Sequence, residues 1–265
     1  MNQPVDLSIR QFSGAWRAMC GPSASRTITT DNGLDYVFSG LPIAFFNIAL
    51  VTGDGLSADR LADHGRRACS WAAGRDVPWM FIVTHEALGP GVQAAAVLDG
   101  CGLAPLMPLT GMIADDVAPS ASAPAGLELR MPSDDLGCAT LLDVNAAAYG
   151  MDLEAGKAVV GRQSFWVDHV PMLGLTEGKA TSCAAVLMVD GYRYVAMVAT
   201  DPGRQRRGHG AAVMREALEV AARTHGRGPS VLHATEAGRP VYERMGYRTI
   251  SNHTVFMEKR FLAEH

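Results

Sequence analysis

Apolar residues recur along the chain with two periods, one helical and one alternating. In LELRMPSDDLGCATLLDVNAAAYG an alternating strand from Leu127 gives way, after Pro132 and Ser133, to Leu136, Ala139, Leu142 and Ala146 at helical spacing. The next stretch, HVPMLGLTEGKATSCAAVLMVDGYRYVAMVATDP, predicts three strands in an antiparallel meander, with Glu177-Gly178-Lys179 and Asp190-Gly191 as turns. A helix over about 208–224, a strand over Ser230–Ala234, a short helix ending near Met245 and a closing pair of strands at 249–251 and 255–260 complete this half.

The first half repeats this order faintly. LDYVFSG and AFFNIALVTG read as strands, SADRLADHGRRACSWAAGR as a helix capped by Ser57, and VPWMFIVTH as a buried strand. Val97–Leu103 (VLDGCGL) matches Val241–Tyr247 (VYERMGY) in pattern: a short helix ended by glycine and resumed by an apolar residue. An internal duplication is the economical explanation; two independent α/β domains are the alternative. DDVAPSASAPAGL, residues 115–127, is rich in Ala, Pro, Ser and Gly and has no apolar period. The division expected is a first domain over 1–120, a linker over 121–126 and a second domain over 127–265.

At 265 residues there is room for two cores, and 48% hydrophobic content, 19% charged content and a net charge of -4 describe a globular protein with no electrostatic case for nucleic acid. The longest apolar run, LPIAFFNIALV, is too short to cross a bilayer, so no membrane partner is expected. MNQPVDLSIRQF lacks the basic and apolar regions of a secretory signal, and a cytoplasmic location is expected. Cys20, Cys69, Cys101, Cys138 and Cys183 are scattered and form no CxxC pair, which favours neither a disulfide framework nor a metal site.

The chemistry concentrates where YRYVAMVATDP runs through GRQRRGHG into a helix. A helix start offers unpaired N–H groups and the positive end of the macrodipole, so a phosphate can bind there. Gly208 and Gly210 leave the backbone open to such a group, and Arg204, Arg206 and Arg207 add attraction for an anion. Close packing of the helix on a strand is the other use for those glycines. No Lys-Ser or Lys-Thr follows as in a P-loop, and the third glycine of the dinucleotide fingerprint is missing.

Gln205-Arg206-Arg207-Gly208-His209-Gly210 resembles the Q/R-x-x-G-x-G/A signature of the GNAT superfamily of acyl-CoA-dependent N-acyltransferases, and PVYERMGY resembles that family's second motif. The resemblance covers roughly 127–260. It implies an α/β (α+β) fold of tandem GNAT-like acyltransferase domains, with a mixed, mostly antiparallel central sheet flanked by helices and a degenerate first half. It implies acetyl-CoA or a similar acyl-CoA as donor, no metal, and direct attack by an amine of a small molecule or peptide; a homodimer is left open. Backbone groups of Val198, Ala199 and Thr200 would pair with the pantetheine arm. Gln205 and the amides of Arg206, Arg207, Gly208, His209, Gly210 and Ala211 would hold the pyrophosphate.

By the same resemblance Tyr242 would protonate the departing thiolate, a role open to a phenol of pKa about 10. Thr235 stands where many relatives have asparagine. The strand before the loop carries no acidic base, which leaves His233, Glu236 or a water chain, and Asp201 reads as a turn residue. The first half lacks the loop and sets Leu98 opposite Tyr242. The alternative reading is a non-catalytic acyl-CoA sensor built on the same loop.

Overall fold

The computed structural model describes residues 3–117 and 123–262. In chain order the first elements are α1 (Gln3–Cys20), β1 (Thr27–Asp31), β2 (Leu34–Phe38), β3 (Asn47–Val51), α2 (Ala58–Ala72), β4 (Met80–Thr84), α3 (Ala94–Asp99) and β5 (Leu103–Ala114). There follow β6 (Leu127–Arg130), α4 (Asp135–Tyr149), β7 (Val170–Thr176), β8 (Lys179–Val189), β9 (Tyr192–Thr200), α5 (His209–His225), β10 (Ser230–Ala234), α6 (Arg239–Arg244), β11 (Arg248–Glu258) and α7 (Lys259–Leu262).

Two compact units form: Met1–Met112 with His233–Arg239 and Thr249–His265, and Ile113–Leu232 with Pro240–Arg248. β11 belongs to the first unit, where its residues His253 to Met257 pair antiparallel with Thr84 to Met80 of β4. Of the expected linker 121–126, residues 121 and 122 lie outside the described residues.

In the first unit the strands run β1-β2-β3-β4-β11-β5, with β3 and β4 parallel around the crossover helix α2. Val5, Ile9, Phe12, Trp16 and Met19 recur at helical spacing along α1, and all are buried. Tyr36, Phe38, Trp79, Phe81, Leu98 and Phe256 form the core beneath α2 and α3. Burying such a side chain contributes about 1.5–3 kcal/mol, and the buried Trp79 also gives its indole N–H to Glu258 Oε2 at 2.8 Å. Ser57 caps α2 by accepting the Arg60 N–H. The expected closing pair of strands, 249–251 and 255–260, is one continuous strand, because the residues between them stay in the ladder and His253 among them is buried within β11.

In the second unit the order is β10-β9-β8-β7-β6; β6 to β9 are antiparallel, and β10 runs parallel to β9. The sheet is thus mixed and mostly antiparallel, with flanking helices, as expected. β8 is buried along both faces: Cys183 meets α4 through Leu141 and Asn145, while its neighbour Ser182 lies on the α5 side, close to Gly174 where Val213 packs. Asp134, rather than Pro132 or Ser133, starts α4 by accepting the Gly137 N–H at 2.7 Å. Of the residues spaced from Leu136, Leu142 is buried, but Leu136 itself is 79% exposed, and the buried stripe is Cys138, Leu141, Leu142, Val144 and Asn145. The matched segments do share their local hydrogen bonds: Cys101 to Leu98 and Gly102 to Asp99 correspond to Met245 to Tyr242 and Gly246 to Glu243.

Candidate functional site

β9 and β10 pair at Arg193 with Ser230 and Tyr194 with Val231, and from Val195 onward the edge of β9 away from β8 has no paired strand residue among the described residues. On the β8 side the register slips between Cys183 and Ala185, and Met197 takes φ 52°. This is a bulge, and a left-handed residue other than glycine costs about 1–3 kcal/mol that the surroundings must offset. Past it Cys183 pairs with Ala199 and Ser182 with Thr200, and the Asp201 N–H reaches the Thr181 carbonyl at 2.8 Å. Antiparallel pairs alternate, so Ala199 exchanges its hydrogen bonds with Cys183, and Thr200 turns its N–H and C=O to the open edge. The Val198 carbonyl, opposed to the Ala199 N–H across a trans peptide, faces that edge too. Of the three residues expected at the pantetheine arm, Ala199 is therefore committed to the ladder, while Val198 and Thr200 present the open groups.

Asn145 and Tyr149, one turn apart on α4, reach the bulge. The Asn145 amide donates to the Met197 carbonyl at 3.4 Å, and the Tyr149 hydroxyl donates to the Val198 carbonyl at 2.9 Å. With its carbonyl held by α4, the peptide after Met197 points the Val198 N–H the opposite way. Sequence reasoning missed both residues; the one signal was an asparagine four positions before a tyrosine on a helix otherwise apolar at that face.

β9 leads into α5 through a turn where Asp201 accepts the Gly203 N–H at 2.8 Å, as a turn residue should. Gly208 precedes α5 at φ 81°, which explains glycine there. Gly210 has a different reason: a Cβ would come within 3.1 Å of Thr200 Oγ1, so α5 crosses close over β9. The first intrahelical bond runs from the Ala212 N–H to the Gly208 carbonyl, which leaves the amides of His209, Gly210 and Ala211 directed off the helix end.

The side chains of the loop part company. Arg204 pairs with Glu177 at 3.1 Å, and Gln205 donates its amide to the Thr200 carbonyl at 3.3 Å. Arg206 and Arg207 are exposed and, among the described residues, have no ion-pair partner. The His209 ring is buried with no partner for Nδ1 among the described residues; burial, with Arg207 and Arg204, holds its pKa below the usual histidine value. His209 thus offers its amide to the helix end rather than its ring.

Tyr242 lies on α6, half-buried, its ring 6.1 Å from that of Tyr247. Burial pushes its phenol well above the usual tyrosine value, with Tyr149 and Tyr247 adding to the rise, so the protonated form prevails. Thr235 accepts the Gly238 N–H at 3.2 Å and serves the turn into α6. His233 is not a free base: Nε2 lies 2.9 Å from Ser8 Oγ, and the ring stacks on Phe12 with centroids 4.2 Å apart. Glu236 is exposed and Leu98 is fully buried. Burial raises the thiols of Cys20 and Cys183 to about 12 and those of Cys69 and Cys138 to about 11, and all five cysteines are free. No His, Cys, Asp and Glu cluster able to hold a metal occurs among the described residues, and no described helix is long and apolar enough to cross a membrane.

Residues 166–262 match the family described as acetyltransferase (GNAT) domain. No curated protein sequence matches the chain. Among solved structures, a GCN5-related N-acetyltransferase from Kribbella flavida, 18% identical, superposes with a TM-score of 0.71 over 97% of this chain and 96% of that one. A GCN5-related N-acetyltransferase from Sphaerobacter thermophilus, 14% identical, gives 0.63 over 97% and 93%. A tandem GNAT protein from the clavulanic acid biosynthesis pathway, 13% identical, gives 0.56 over 95% and 94%. At these identities the likeness is one of fold. Residues 166–262, which hold the parted strands, the bulge and the open helix start, match the GNAT acetyltransferase domain family, and the fold of the chain is similar to that of a tandem GNAT protein.

Proposed function

We propose that the second unit transfers an acetyl or similar acyl group from an acyl-CoA to an amine of a small molecule or peptide, by direct attack. The observation that carries the reading is the continuity of an open β9 edge with the amides at the start of α5 and two exposed arginines that have no ion-pair partner among the described residues. The acyl donor supplies a thioester carbonyl and a thiolate leaving group. Val198 and Thr200 pair with its amide arm along β9, while the amides of His209, Gly210 and Ala211, with Arg206 and Arg207, hold the pyrophosphate. The Val198 N–H polarises the thioester carbonyl, a role supported by the hold of α4 on the Met197 carbonyl across the same peptide. As the C–N bond forms and the C–S bond breaks, Tyr242 hands its proton to the departing sulfur, its raised pKa having kept that proton in place beforehand, and the proton lost by the amine nitrogen passes through water to the phenolate left behind. Neither Arg204 nor the side chain of Gln205 takes part, since each is held by a partner within the chain. The separation into domains at 121–126 and a cytoplasmic location accompany this reading.

The test is thermal melting with acetyl-CoA and free CoA for wild type and an Arg206→Glu, Arg207→Glu double variant. A ligand that binds only the folded state stabilises it by about 2.7 kcal/mol at a hundred times its Kd. A rise in melting temperature in wild type that is lost in the variant, followed by amine-dependent thiol release, is the expected result. No rise with any acyl-CoA would refute the reading, and a rise without thiol release for any amine would leave a sensor.

A further inference from the structure

Two carbonyls that β9 turns to its open edge, those of Val198 and Thr200, are already capped by side chains of this chain. Val198 accepts from the Tyr149 hydroxyl at 2.9 Å and Thr200 from the Gln205 amide at 3.3 Å. Unpaired strand edges invite pairing, and side-chain caps of this kind suppress it. The two caps differ in mobility of origin. Gln205 sits in the turn that follows β9, whereas Tyr149 is the last residue of α4, next to the left-handed Gly150, and is 51% exposed although its hydroxyl is engaged.

We propose that Tyr149 is an internal competitor of the acyl donor: its hydroxyl holds the Val198 carbonyl until an amide N–H of the donor arm displaces it. The proposal rests on the acyl-donor reading given above. A segment paired with β9 lies about 4.8 Å away, and its N–H would approach the carbonyl near the carbonyl plane, the direction a hydroxyl donor also prefers. An oxygen 2.9 Å from the Val198 oxygen already donates to that carbonyl, and an arriving N–H must compete with it. Exchange of one hydrogen bond for another lowers the net gain on binding, so the hydroxyl sets donor affinity without touching the helix end that holds the phosphates. Once released, the phenol at the exposed end of α4 is free to turn outward, since its ring is not held inside the core.

Calorimetric titration separates this from a merely structural role. Tyr149→Phe keeps the ring and removes the competitor, and the expected result is a Kd for acetyl-CoA lower by roughly 2- to 10-fold, the range of one net hydrogen bond. Adenosine 3′,5′-bisphosphate, which lacks the amide arm, should bind wild type and variant alike. An unchanged or higher Kd for acetyl-CoA in the variant, while wild type binds it, overturns the proposal and leaves the acyl-donor reading intact. A drop in Kd of equal size for the bisphosphate also overturns it, because the effect would then not lie at the arm. If wild type binds no acyl-CoA, both readings fall together.

Discussion

Acid should weaken the first unit through a single buried ring. His253 is wholly inaccessible on β11; its Nε2 lies 2.8 Å from Ser251 Oγ and its Nδ1 3.0 Å from Thr84 Oγ1. Ser8 Oγ joins Ser251 at 2.6 Å and His233 at 2.9 Å, so hydroxyls and a second imidazole surround the ring, and among the described residues no carboxylate bonds to it. Hydroxyls satisfy a neutral imidazole, but they do not compensate a buried charge. Burial, with His85 adding, lowers the pKa of His253 from 6.5 to about 3. The sign follows from proton counts: below pH 6.5 the unfolded chain takes up a proton that the folded chain refuses, so stability falls as pH falls toward 3. At 1.36 kcal/mol per pH unit, the interval from 6.5 to 5 costs about 2 kcal/mol. His233, held well below its usual value by burial and by His253, acts in the same direction. Urea denaturation of wild type and His253→Asn at pH 7.5 and pH 5 isolates the ring. The variant starts less stable, and the gap should close by about 2 kcal/mol at the lower pH, roughly 4–8 °C in melting temperature. A gap that stays constant to within about 0.5 kcal/mol would show that the ring is not kept neutral by its surroundings, and the reasoning would fail.

Two further outcomes test the second unit. Tyr242→Phe should lower kcat for acyl transfer by about 100-fold, with the Kd for acetyl-CoA unchanged, as expected of a proton donor; steady-state thiol release together with calorimetry reads both, and an unaltered kcat would remove Tyr242 from the chemistry. Asp134→Ala should cost about 1 kcal/mol of stability in urea denaturation through loss of the α4 cap, and no change would mean that the Gly137 N–H finds an equivalent partner.

Much of the second unit was legible because its signals are local. Glu177-Gly178 and Asp190-Gly191 adopt positive φ at the two hairpin turns that those residue pairs predict, and Ser230–Ala234 is a strand with those bounds. The helix after the glycine loop also lies where its spacing put it, at His209–His225. The equivalence of Val97–Leu103 and Val241–Tyr247 reappears as matching hydrogen bonds at the end of α3 and α6. The face of α4 is only partly legible, because small residues at Ala139 and Ala146 give a weak stripe, and Leu141 and Asn145, which meet Cys183, turn inward with Leu142.

What the sequence determined by itself is the set of short-range choices: turns, caps, the glycine-entered helix, and with them the resemblance that pointed to acyl transfer. Only the tertiary structure decided which groups are available for it. The direction in which Val198, Ala199 and Thr200 present their backbone depends on the register against β8 and on one bulge at Met197, and side-chain pattern does not encode a backbone group's direction. The same holds for Tyr149 over Val198, for His233 against Ser8 and for β11 beside β4, contacts between residues 49, 225 and about 169 positions apart. Such pairings arise when buried polar groups must find partners in space, and no local rule names the partner in advance.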